Sequence, residues 1–213
     1  MRTRYIYILL LLILANSMWS CSTQKNTWAT RSYHQTKTKY NIYYNGANSY
    51  QEGLDAIRQA NQDDYSTLLN LYPVSNHEAA EASKSQMDRT IEKCRKCIKL
   101  HSIKSRPKDI NHDKMRRDPQ YKAWVNQEEF NNQLGNAWML LAQAEFHKGD
   151  FLGAISTFNY IARHYAHDAD IVARCQLWTA RAYAEMDWLY ESEDVLNKVQ
   201  QDNLTRKHAP LYA

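Results

Sequence analysis

The sequence predicts an all-α protein in which helix–turn–helix units stack one on the next as an α-solenoid, behind an N-terminal export segment. Three observations carry this. Glycine and proline are scarce, five and four in 213 residues, while Ala, Gln, Asn and Lys abound. Apolar residues recur at helical spacing through most of the chain. A pair of amphipathic helices broken at a glycine is followed about 37 residues later by a second pair in the same phase.

The chain opens with an address. Arg2 and Arg4 form a basic start, and Tyr5 to Ala15 form an apolar run too short to span a bilayer as a helix. Residues 1–20 therefore read as a signal peptide. Ser20-Cys21 follows, a small residue directly before a cysteine, which resembles the lipobox of bacterial lipoproteins. There the cysteine thiol takes a diacylglycerol and becomes the new N-terminus. Met18 and Trp19 depart from the usual pattern, and cleavage after Ser17 is the alternative. Ser22 rather than an acidic residue follows Cys21, which favours an outer-membrane destination. Residues 21–27 are then a lipidated cysteine and a short tether.

Residues 28–75 contain "KYNIYYNGANSYQEGLDAI", which has the look of a β-hairpin turning at Asn45-Gly46. Ser49 with Glu52 three residues on suggests a capping box, and Asn45-Gly46 can equally end a helix. The segment is read as a degenerate helical hairpin, with Tyr43, Tyr44, Gly46 and Tyr50 around its turn and Gly53 at a close helix contact. Four tyrosines exceed what one groove needs, and the surplus suggests an exposed contact surface.

Asn76 caps a long helix over 76–105. Met87, Ile91, Cys94, Ile98 and His101 form a narrow seam on it. Residues 106–120 read as a basic linker. Arg89 through Lys122 carries twelve Lys/Arg against four Asp/Glu in a chain of net charge +4. Such a stripe suits phosphate, anionic headgroups or an acidic protein, or is a solvated face. Export makes nucleic acid the least fitting partner.

Residues 121–167 hold the clearest unit, "NAWMLLAQAEFHKGDFLGAISTFNYIARHY". Trp138, Leu141, Ala142 and Phe146 mark one helix, Ala154 and Phe158 the next, and Gly149 the turn. The pattern resembles the tetratricopeptide repeat. Small Ala142 and Ala154 allow close approach, while Trp138 and Phe158 fill the groove. Residues 168–203 repeat it more loosely, with Trp178, Tyr183 and Val195 aligned to Leu141, Phe146 and Phe158. Met186-Asp187-Trp188 stands for Gly149-Asp150-Phe151, and Glu191 stands where a small residue is expected. Residues 204–213 read as the truncated start of a further helix.

Candidate chemistry is thin. Cys94, Cys97 and His101 share a helix face with zinc-ligand types, but no second ligand pair follows. The cysteines lie deep in a helix rather than at its N-terminus, where thiolates are favoured. His77-Glu78-Ala79-Ala80-Glu81 lacks the second His of a zinc protease motif, and the adjacent pairs Asp63-Asp64 and Glu128-Glu129 point apart. No catalytic residue, metal site or cofactor is assigned, and no small-molecule substrate is expected.

Taken together, "NTWATRSYHQTKTKYNIYYNGANSYQEG", "TIEKCRKCIKLHSI" and the two repeat blocks behind a lipoprotein-type cysteine resemble a known family. It is the Bacteroidetes tetratricopeptide-repeat lipoproteins of gliding motility and type IX secretion, the SprE/PorW type, here in their N-terminal portion. The resemblance implies a non-enzymatic scaffold for secretion-machine proteins, lipid-anchored in the outer membrane and facing the periplasm. A repeat lipoprotein of general envelope assembly or uptake, and a metal-binding protein using Cys94, Cys97 and His101, are the alternatives.

Overall fold

The computed structural model describes residues 25–66, 69 and 72–199, apart from the Tyr43 side chain. The signal peptide, Cys21 and the helix expected over 204–213 lie outside the described residues. Among the described residues all regular structure is helical. The elements are α1 (Trp28–Tyr40), a π-helical turn (Asn41–Gly46), α2 (Ala47–Ala60), a 3₁₀ turn (Pro73–Ser75) and α3 (His77–His101). They continue as α4 (His112–Arg117), α5 (Pro119–Asn126), α6 (Leu134–His147), α7 (Phe151–His164), α8 (Ala169–Glu185) and α9 (Leu189–Lys198).

The tyrosine-rich segment is neither a strand pair nor a helix–turn–helix, which corrects the expectation for residues 28–75. Gly46 has φ −78°, ordinary right-handed helix, and the Ala47 N–H bonds back to the Ile42 carbonyl. The backbone therefore passes from α1 to α2 through one wide turn without breaking. Ser49 builds no capping box with Glu52. Its hydroxyl donates to the Asn45 carbonyl one turn back, 3.1 Å away, and Glu52 is exposed. The cap of this helical run sits upstream, where Thr27 and Thr30 satisfy each other's backbone N–H groups.

The partner of this run is α3, which lies antiparallel along its whole length. His34 meets His101 (Nδ1 to Nδ1, 3.0 Å), the Asn45 carbonyl meets Lys93 Nζ at 3.4 Å, and Gly53 meets Met87. The helix seam explains the fit, since Met87, Ile91, Cys94 and His101 are buried, with Cys97 beside them. Gly53 is small because α3 crosses there: a Cβ would stand 2.6 Å from Met87 Cε and 3.3 Å from Gln86 Cβ. Asn76 caps α3 by accepting from the Glu78 N–H, as its position before the helix predicts.

Helix α6 then lies in the groove between the α1–α2 run and α3. Thr38 contacts Asn131 just ahead of α6 (2.8 Å), Gly46 faces Leu140, and the Tyr50 hydroxyl reaches His147 (3.1 Å). These contacts advance in step, so α6 runs parallel to α1–α2 and antiparallel to α3. Gly46 is also confined, though less than Gly53, since a Cβ there would be 3.2 Å from Leu140 Cδ2 and 3.8 Å from Cys94 Sγ. Each later helix packs on the one before it, α7 on α6, α8 on α7 and α9 on α8. Phe158 stacks on Trp178, and Phe146 meets Phe151 and Trp178 edge to face. Leu141, Ala142, Phe146, Ala154, Phe158 and Trp178 are buried, and Trp138 packs against the clusters on both sides of α6.

The second unit is shifted by one residue from the alignment drawn in the sequence. Gly149 has φ +88°, and the other left-handed residue among the described residues is Asp187 at φ +59°, not Met186. Aspartate tolerates that conformation better than most side chains. The shift also supplies the small residue that Glu191 seemed to displace: Ser192 is buried at the crossing and donates to the Ala180 carbonyl at 2.8 Å. Trp188 is 46% exposed and only stacks on Tyr183, while Val195 is half-buried, so the final pair packs more loosely than aligned. The stretch read as a basic linker contains α4, capped by Asn111, and α5 begins at Pro119 with Asp118 as its cap.

Gly53→Leu tests the close crossing of α2 and α3. Overpacking at this point lowers stability by about 1–3 kcal/mol, read as a fall in the urea midpoint. Adding Met87→Ala recovers part of the loss, because the space taken by the new side chain is the space Met87 gives up.

Candidate functional site

The members of the cysteine–histidine constellation face different neighbours. Cys94 packs under Gly46, Cys97 lies against Thr38, and His101 turns to His34 across the helix pair. Burial, then the neighbouring Cys97 and Glu145, push the Cys94 thiol up to about 12, and burial likewise raises Cys97. Cys175 is pushed up to about 12 by burial in the other cluster. Thiols held protonated in this way are poor nucleophiles and poor ligands. Among the described residues no group of three or more His, Cys, Asp or Glu is arranged to hold a metal ion.

The basic stripe divides between elements. Its later part, from Lys104 to Lys122, follows the exposed loop, α4 and α5. There Lys114 sits over the Tyr121 ring at 4.9 Å. Its earlier part lies on α3 and forms one wall of a groove. Arg95, Ile98 and Lys99 stand on that wall, Trp138 and Leu141 of α6 form the floor, and Thr157 of α7 lies opposite, around a cavity of about 270 Å³. Glu145, buried in the floor, accepts from Arg95 Nη2 at 3.0 Å and from the Thr157 hydroxyl at 2.7 Å. It ties the two walls together, while Arg95 itself stays mostly in solvent. Trp138 meets Tyr160 with ring centroids 4.8 Å apart, so an aromatic floor continues onto α7. The groove is basic and aromatic, apt for an acidic, partly apolar polypeptide surface. It holds no nucleophile–base pair and no placed acid.

Behind the groove, a strap that the sequence reading did not anticipate crosses from the first helix pair to the last. Residues 72–76 carry Val74 into the cluster of Phe146 and Trp178. Tyr72 lies over the Arg181 guanidinium at 3.7 Å, and the Ser75 hydroxyl donates to Glu185. Arg181 also lies within 5.1 Å of the Phe146 and Trp178 rings, so aromatic faces do much of the work of a counter-ion.

His147 closes the same region. Its Nδ1–H donates to the Gln143 carbonyl at 2.8 Å, with the Tyr50 oxygen 3.1 Å from the same nitrogen. Burial first, and Arg181 nearby, pull the imidazole down to about 4 against the opposing Gln143 bond. Other expected residues carry surface or packing roles. Tyr44 is exposed, Tyr50 is buried, and Trp28, Tyr33 and Tyr40 are exposed on α1 with it. Glu128 and Glu129 lie in the loop after α5 rather than on a helix, and they have different partners. Glu128 pairs with His164, and Glu129 accepts from Ser102, Ile103 and Asn131.

No family model matches the chain, and no curated protein gives a significant match to it.

The buried His147 sets a pH dependence whose sign is fixed. The folded imidazole stays neutral down to about pH 4, whereas an unfolded one takes a proton near its ordinary 6.5. Between those values the unfolded state binds more protons, so stability is full above 6.5 and falls as pH drops toward 4. The loss is on the order of 3 kcal/mol, partly offset by Glu185, whose carboxyl is raised by burial. Urea unfolding at pH 7 and pH 4.5 reads this, and His147→Gln flattens the difference.

Proposed function

We propose that this chain is a lipid-anchored helical-repeat scaffold that binds protein partners of the type IX secretion and gliding machinery at the outer membrane. The observation that carries the binding role is the groove over α6, with Arg95 and Lys99 on one wall and Trp138 and Tyr160 along its floor. Half-buried aromatics beside exposed cations are what a protein interface buries. The tetratricopeptide-like reading is supported by antiparallel neighbours that follow chain order, by the left-handed Gly149 turn, and by small Ala154 and Ser192 at the two crossings. In this reading α2–α3, α6–α7 and α8–α9 are successive units of an α-solenoid. Mechanism is presentation without chemistry: a rigid curved surface holds an acidic partner face, and the lipid on Cys21 places it at the membrane.

The assignment to secretion rests on the family resemblance, and the anchor on the Ser20-Cys21 pair. Affinity capture from detergent-solubilised membranes tests both, with wild type beside Lys99→Glu, Trp138→Ala and Cys21→Ala. Wild type retains secretion components. Lys99→Glu and Trp138→Ala each lower recovery at least tenfold without lowering the melting temperature by more than a few degrees, and Cys21→Ala leaves the outer-membrane fraction. Recovery of no secretion component overturns the assignment, and retention of Cys21→Ala in that fraction overturns the anchor.

A further inference from the structure

Lys25 to Gln51 contains no aspartate or glutamate. Its charged residues are Lys25, Arg31, Lys37 and Lys39, and the first acidic residue of the whole chain is Glu52. Helix α1 takes up much of this stretch. One side of it, His34 and Thr38 followed by Ile42 in the π-helical turn, is buried. That side meets His101 of α3 and Asn131 just ahead of α6. The other side carries Tyr33, Lys37, Tyr40 and Tyr44 at i, i+4, i+7 and i+11, a spacing that makes one stripe along a helix, and all four are exposed. Trp28, 78% exposed, and Lys39 flank the stripe. Lys37 lies over the Tyr33 ring at 6.0 Å. Thr36, Lys39, Tyr40 and Tyr44 surround a shallow depression, which brings three hydroxyls and an ammonium group together.

The composition of this face narrows what covers it. Helix α1 has no Leu, Ile, Val, Met or Phe. Its exposed aromatics are Tyr and Trp, apolar rings with polar tips, which suit the headgroup layer of a bilayer better than its hydrocarbon. Lysines beside them attract phosphodiesters. Around the stripe the charges agree. Lys93 and Lys96 of α3 border Asn41 and Asn45 of the π-helical turn and widen the positive surface. Asp88 and Glu92 stand on the other flank of α3, beside Arg95 and Lys99. Glu52 lies two turns beyond Tyr44, about 12 Å along the axis. The tether supplies the second argument. Seven residues separate Cys21 from Trp28, a span of at most about 25 Å when fully extended. A lipid on Cys21 holds α1 at the bilayer at an effective concentration on the order of millimolar, so a weak contact is enough. No protein partner has that enforced proximity.

We propose that the stripe of Tyr33, Lys37, Tyr40 and Tyr44 on α1 lies on the membrane surface, where its lysines and tyrosine hydroxyls hold anionic phospholipid headgroups. The inference rests on the lipid anchor proposed above and adds an orientation to it. Helix α1 turns its buried side to α3 and α6, which line the groove, so the stripe points away from them. Membrane contact therefore leaves the groove open to polypeptide.

The test places the full lipidated chain in phosphatidylcholine vesicles, with and without phosphatidylglycerol. A fluorophore is attached at Thr36→Cys and, as controls, at Leu152→Cys and Tyr190→Cys. Cys94, Cys97 and Cys175 are buried and do not compete for the label. Lipids with a nitroxide on the headgroup quench position 36 and spare 152 and 190, and the quenching deepens with phosphatidylglycerol. Lys37→Gln with Lys39→Gln lowers the ratio of docked to free stripe by about 25-fold on the anionic vesicles. Both lysines are exposed, so this variant melts as wild type does and still floats with the vesicles through its lipid. Flotation without quenching at position 36, equal quenching at all three positions, or quenching that the lysine substitutions leave unchanged overturns the inference and leaves the anchor standing. A discrete protein crosslink from position 36 in native envelopes, with no quenching in protein-free vesicles, assigns the stripe to a protein and also overturns it. Failure of the wild type to float, with Cys21 unmodified by mass, overturns the anchor and the inference together.

Discussion

The fold depends on one crossing, where α6 passes over the π-helical turn and α3 at Gly46, Leu140 and Cys94. The space there is tight, since a Cβ on Gly46 would stand 3.2 Å from Leu140 Cδ2. Everything downstream takes its position from α6. Its Glu145 spans to Arg95 and Thr157, its Phe146 meets Trp178, and its His147 meets Tyr50. A continuous helix from residue 28 to 60 can lie flush against α3 because the wide turn at Asn41–Gly46 absorbs the mismatch where α6 crosses. The tyrosines of that segment thereby separate into buried Tyr50 and exposed Tyr40 and Tyr44.

The strap and the groove are two sides of one arrangement. Residues 72–75, just ahead of α3, reach α8 through Tyr72, Val74 and Ser75. Arg181 is held by aromatic faces rather than by a carboxylate pair, and burial lowers its basicity while raising that of Glu185. The buried polar groups around it thus make the strap's grip sensitive to acid, through His147 above all.

Much of the helical pattern was legible from residue types. Asn76, Gly149, Ala154, Phe158 and the Met87–His101 seam stand where periodicity and capping put them, because each rests on a local rule that tertiary context did not override. The failures share a different cause. Asn45-Gly46 satisfies the local requirements of a strand turn, a helix end and a helix interior alike, and only the passage of α6 decides among them. The alignment of Met186 to Gly149, and of Glu191 to the small crossing residue, is off by one because no glycine marks that turn; Asp187 and Ser192 hold those places. Cys94, Cys97 and His101 show the reverse, a motif suggestive in one dimension whose members face three different neighbours in space.

The central claim is that the groove over α6 receives a protein partner. Site-specific photo-crosslinking in intact envelopes tests it directly, with a benzophenone side chain at Trp138 or Tyr160 and, as controls, at exposed Leu152 and Tyr190. The account predicts a discrete protein adduct from positions 138 and 160 that is absent from 152 and 190. Adducts from the control positions alone, or none from the groove, would contradict it.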